Sequence, residues 1–125
     1  MATYLVSGGK AIVTGFLTGS DTTQAKYIGW GTGAGTTTAT DTALFSETGT
    51  TRATGTNTQQ TTSVTNDTYQ VVGTLTAGST LAITNAGVFD NATVGSGNLF
   101  AKGDFSTVNL NSGDSIQFTF KVQFS

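Results

Sequence analysis

The clearest pattern in the chain lies near its C-terminal end. Ile116, Phe118, Phe120, Val122 and Phe124 alternate strictly with Gln117, Thr119, Lys121 and Gln123. Apolar residues at period two put one side of a strand against a core and the other in water, as in an antiparallel sheet. Asn111-Ser112-Gly113-Asp114, just before it, supplies turn chemistry. Further strands are predicted over Leu99–Phe105, Leu81–Phe89 and Thr68–Leu75, with Gly95-Ser96-Gly97-Asn98 and Ala77-Gly78-Ser79 as turns between them. In Thr68–Leu75, Gly73 shares a face with Tyr69, Val71 and Leu75, which marks a bulge or a close backbone approach. Lys10–Leu17 and Ala25–Trp30 read as two more strands, the first interrupted by Gly15.

Only Asp41–Glu47 reads as helical, capped by Thr40 or Asp41 and held by packing of Leu44 and Phe45. Short strands separated by glycine-rich turns predict an all-β fold. We expect an antiparallel β-sandwich or jelly-roll-like single domain over residues 1–125, with one short helix. Residues 46–63, SETGTTRATGTNTQQTTS, contain no large apolar side chain and are expected to form a polar arm or a long hairpin. Such a segment cannot offset its own ordering entropy, so it is expected to gain order from a neighbour.

Composition sharpens this picture. A chain of 125 residues suits one domain, and it has no cysteine to staple it. Threonine fills 28 positions, proline none, and charged residues are 10% of the chain, against about 25% in an ordinary domain. Threonine favours strands, and its hydroxyl wets a surface without the desolvation cost of a charge. A surface of Thr, Gly, Asn and Ser is therefore one that a protein partner covers at low cost. The net charge is −2, and Lys10, Lys26, Arg52, Lys102 and Lys121 are scattered, so no phosphate-backbone footprint and no nucleic-acid partner are expected. No run of about 18 apolar residues is present, and MATYLVSGGK does not read as a secretory leader; neither a membrane partner nor export is expected, and synthesis in the cytoplasm is.

Candidate chemistry is sparse. Without histidine or cysteine there is no Ser-His or Cys-His nucleophile and no usual zinc ligand set. Paired carboxylates remain, drawn from Asp21, Asp41, Glu47, Asp67, Asp90, Asp104 and Asp114, but several of these sit beside turn residues where Asp serves the backbone. The glycines from Gly29 to Gly35 lead into Thr36-Thr37-Thr38 rather than a helix. They read as the means by which the chain leaves a strand and turns, not as a nucleotide loop. Asp90, Asn91 and Asp104 lack the dense spacing of a calcium loop. Trp30 with Tyr27 suggests a sugar-stacking pair, though such residues more often fill a β core. We expect no enzyme activity, no cofactor and no metal.

Several segments together resemble small virion proteins of tailed bacteriophages. These are Tyr27-Ile28-Gly29-Trp30-Gly31-Thr32-Gly33, then Thr40-Asp41-Thr42-Ala43-Leu44 with Glu47 and Arg52, and Ile83-Thr84-Asn85-Ala86-Gly87-Val88-Phe89. Leu99-Phe100-Ala101, Phe105 and Gly113-Asp114-Ser115-Ile116 complete the order, which runs over residues 25–124. Asn85 departs from the pattern, where an acidic residue is expected, as does the lack of proline after Gly35. The resemblance implies a capsid decoration (cement) protein on the outer capsid surface of the virion. Its partners would be the major capsid protein and itself, as a homotrimer, bracing neighbouring capsid subunits. A tail or tail-fibre component is the alternative, and a carbohydrate-binding receptor module a third. The interface is expected to include Trp30, Thr32, Thr36, Thr50, Arg52, Thr54 and Asn57.

Overall fold

The computed structural model describes residues 3–125, the side chain of Thr50 excepted. The order of elements is β1 (Thr3–Leu5), α1 (Ser7–Thr18), β2 (Tyr27–Gly31), β3 (Glu47–Thr54), β4 (Thr56–Gln60), β5 (Thr68–Thr76), β6 (Leu81–Phe89), β7 (Leu99–Leu110) and β8 (Ser115–Gln123). The strands form a five-stranded sheet, β1-β7-β6-β2-β3, and a three-stranded sheet, β4-β5-β8. Every pairing is antiparallel. The chain changes sheet after β3, after β5 and after β7. The expected all-β sandwich with one short helix is the fold observed.

The alternating pattern of the last strand explains how the sheets meet. In β8, Ile116, Phe118, Phe120 and Val122 pack against the core, while Gln117, Thr119, Lys121 and Gln123 are exposed. Across the β5–β8 register, Tyr69 pairs with Val122, Val71 with Phe120 and Leu75 with Ile116, so the inner faces of the two strands coincide. Against them lie Ile28, Trp30, Ala86, Val88, Phe100 and Ala101 of the larger sheet. Each fully buried aliphatic or aromatic side chain contributes roughly 1.5–3 kcal/mol. Gly73 is the close approach expected of it: a Cβ there would lie 2.9 Å from Ile28 Cδ1 of the facing sheet.

Four expectations are corrected. Lys10–Leu17 lies within α1 and is not a strand. Ile12, Val13, Phe16 and Leu17 recur at spacings of three to five, which gathers them on one face of a helix but not of a strand. The first turn sits directly on β7, because a Cβ at Gly9 would fall on the Phe100 carbonyl. The helix ends in a Schellman turn, with Gly19 in the left-handed conformation, the Gly19 N–H donating to Phe16 O and Ser20 N–H to Gly15 O.

Asp41–Glu47 is not helical; it is a turn that leads into β3. Leu44 inserts beside Val6, Phe89 and Leu99 in a second apolar cluster, so packing holds this segment without helical hydrogen bonds. Residues 46–63 are neither a free arm nor a hairpin. Glu47–Thr54 pairs with β2 and Thr56–Gln60 with β5, so the two halves belong to different sheets. Their hydrogen-bond partners lie within the chain. Of the glycines read as the exit from a strand, Gly29 lies inside β2, whereas Gly31 is its last residue and Gly33 and Gly35 lie beyond it. Among the described residues no helix is long and apolar enough to cross a membrane.

Candidate interaction surface

Among the described residues two cations are buried, and both are held in the same way. Arg52, 3% exposed, donates from Nε and Nη2 to the two Glu47 oxygens at 2.7 and 2.8 Å. Its Nη1 donates to the carbonyls of Asn91 and Ser96, and its guanidinium lies 3.4 Å from the Phe89 ring centroid. Lys102, fully buried, donates to Asp41 Oδ2 at 2.9 Å and to the Ala43 carbonyl at 2.8 Å, with Nζ 3.3 Å from the Phe45 ring centroid. Each cation has a carboxylate, backbone carbonyl oxygen and an aromatic face, which is what an ion out of water requires. Arg52 fastens the β6–β7 loop to β3, and Lys102 fastens the 41–45 turn to β7.

Asn85 completes this frame. It is fully buried, accepts from Phe45 N–H at 3.0 Å and donates to the Phe45 carbonyl at 3.1 Å. A carboxylate could make only the first of these bonds, so the amide at this position fits the geometry that an acidic residue would not.

The carboxylates are likewise committed to the backbone or to these cations. Asp21 accepts from Thr23 N–H, Asp104 from Thr37 N–H, and Asp114 from Asn111 N–H. Asp90 accepts from the Asn98 backbone and side chain. Asp67 accepts from the backbone N–H groups of Thr62, Ser63 and Val64, and these bonds, Val64's foremost, hold its carboxyl well below the ordinary carboxylate range. The Lys102 ammonium lowers Asp41 by hydrogen bonding. All seven carboxylates therefore have a structural task. Among the described residues, no three acidic side chains cluster in a way that would hold a metal ion.

The expected interface residues do not form one patch. Trp30 and Arg52 are both 3% exposed and offer no surface, Trp30 meeting Phe118 edge-on in the core and Arg52 being held by its ion pair. Burial also removes Trp30 from any sugar-stacking role at the surface. Thr32 and Thr36 are exposed beyond the end of β2, whereas Thr54 pairs with Tyr27 at its start. Thr50 lies in β3, and its side chain is outside the described residues. Asn57 is half-buried on β4 and donates to Gln24 Oε1 at 3.3 Å.

Asn57 borders the feature that the sequence reading missed. A groove of about 420 Å³ runs between α1 and the inner face of β4. Ile12, Phe16 and Leu17 form one side, Asn57, Gln59 and Tyr69 the other, and Phe124 lies at its margin. Phe16 is 42% exposed, Leu17 81% and Phe124 46%, so three of the most exposed large apolar side chains converge here. None of the lining residues carries a charge at neutral pH; burial raises the Tyr69 phenol further. The signal was present in the helical spacing of Ile12, Val13, Phe16 and Leu17. Comparison with known proteins finds no matching family model, no similar curated protein and no similar solved structure.

Proposed function

We propose that this chain is a structural virion protein that decorates a capsid and braces neighbouring capsid subunits. The observation that carries the reading is the division of labour among its side chains. Seven carboxylates and two buried cations hold turns and loops in place, while exposed Phe16, Leu17 and Phe124 gather around one groove whose lining carries no charge. That arrangement suits a rigid block that docks, more than a site that transforms a ligand. The ordered resemblance of residues 25–124 to phage virion proteins supports the same reading. The resembling residues Asp41, Glu47 and Arg52 belong to the internal frame, so they speak for the fold of such proteins rather than for a contact surface.

The test is stoichiometry. Quantitative mass spectrometry of purified particles should find the protein in numbers comparable with those of the major shell protein. A few copies per particle would place it in the tail and overturn the decoration reading.

A further inference from the structure

We infer that the free edge of β4, with the groove beside it, receives an extended, uncharged segment of the partner as an added strand. This inference rests on the proposed bracing role and names the chemistry of the attachment. β4 is the outer strand of the three-stranded sheet and is bonded on one side only, to β5. Its outward backbone donors and acceptors favour a strand as occupant, because only a strand satisfies such groups in register. Edges of this kind are normally blocked by charge, proline or a bulge. Thr56–Gln60 contains neither charge nor proline, and it pairs with β5 residue for residue without a bulge.

The groove sets the side chains. Asn57 and Gln59 point into it from β4, so alternate residues of an added strand would point to the same side, where Phe16 and Leu17 of α1 are exposed. An ion there would lose water and find no opposite charge among the lining residues, so the inward positions must be apolar. A second copy of β4 would present only Asn57 and Gln59 inward and would leave the apolar groove unfilled. Five residues span about 17 Å, and such an edge buries far less than the roughly 1,200–2,000 Å² of a free-standing interface. That suits a short segment repeated over a lattice, where neighbouring attachments raise the effective concentration.

The experiment titrates the isotopically labelled full chain with two synthetic six-residue peptides, one alternating Thr and Val, the other Thr and Lys. The Thr/Val peptide should shift the amide signals of residues 56–60 and slow their exchange, while the Thr/Lys peptide should not. Leu17→Asp should weaken Thr/Val binding about tenfold or more, and Val64→Asp, on an exposed side chain outside the groove, should leave it unchanged. Equal response to both peptides, no response in β4, or a dimer joined through β4 in sedimentation would overturn the inference. A second arm uses shells assembled without the protein. If wild type rebinds and Leu17→Asp rebinds equally well, the edge is not the attachment and the bracing role stands. If the Thr/Val peptide binds β4 but wild type does not rebind shells, the edge stands and the bracing role fails.

Discussion

Lys102 and Asp41 are unequal members of their ion pair, and the inequality is testable. The ammonium side chain is fully buried, whereas the Asp41 side chain keeps 20% of its surface in solvent. Removing the carboxylate strands a buried cation with one carbonyl and a ring. Removing the cation leaves an anion that water and Thr38 still solvate. Asp41→Ala should therefore cost about 3–5 kcal/mol and Lys102→Met distinctly less, about 1–2 kcal/mol. Urea midpoints of the two variants check this, and the reverse order would show that the packing of the lysine stem, not its charge, governs the site. A sequence clue to Lys102 existed, since a charge directly follows the apolar run Leu99-Phe100-Ala101 within one strand. Its partner was not legible, because 61 positions separate the two and only the fold brings them together.

Asp67 gives the matching statement for pH. Its carboxyl is held well below the ordinary value of 3.8 by backbone N–H groups that bond the ionised form. A depressed folded-state value means that the carboxylate contributes stability above the unfolded value, and that the contribution is lost as pH falls through the folded one. The 62–67 turn should therefore stay closed until pH is well below 3.8. Carboxyl carbon shifts followed by NMR test this directly. An Asp67 midpoint near the ordinary aspartate value would mean that the three N–H bonds do not hold in solution.

At the scale of elements, the strands were legible where one face is buried and the other wet. β8, β6 and β5 fall where alternation or an apolar run places them, because period two survives whenever the packing is one-sided. α1 was not legible as a strand-or-helix choice from composition. Its β-branched residues and Gly8, Gly9 and Gly15 argue against a helix, and tertiary contact with β7 overrides them. Gly9→Ala should show which term dominates. Propensity alone would stabilise the helix by about 0.5–1 kcal/mol. The Phe100 carbonyl in the path of the new Cβ should instead lower stability by about 1–3 kcal/mol in thermal melts. A raised melting temperature would mean that the helix stands off β7.

Residues 46–63 show the other limit of pattern reading. Threonine on both faces hides the period, and the partners, β2 and β5, lie on different sheets. With those partners supplied internally, amide exchange on the isolated protein should find protected N–H groups in both β3 and β4, with the unprotected ones of β4 on its outer edge. Uniformly fast exchange from 47 to 60 would restore the expectation that a neighbour orders this segment.

For the whole molecule, the proposed bracing role turns on how a small, weakly charged block would act in many copies. Its interior is fixed by two sheets and two ion pairs, so on the proposed role little of its own free energy would be lost on docking. A protein that binds only the assembled shell stabilises that shell by mass action as its free concentration exceeds the dissociation constant. Contacts of about 1–2 kcal/mol each become decisive when several must break together before one capsomer leaves. If the proposed bracing role holds, shells built without the protein should assemble but release their DNA at lower temperature than complete particles, and adding the purified protein back should restore the difference. Leu17→Asp protein, folded but altered in the groove, should restore it poorly. Dye fluorescence during a heating ramp reads the release directly. A tail component would give another result, namely heads of equal robustness that fail to adsorb. An unchanged release temperature together with lost infectivity would sink the bracing role.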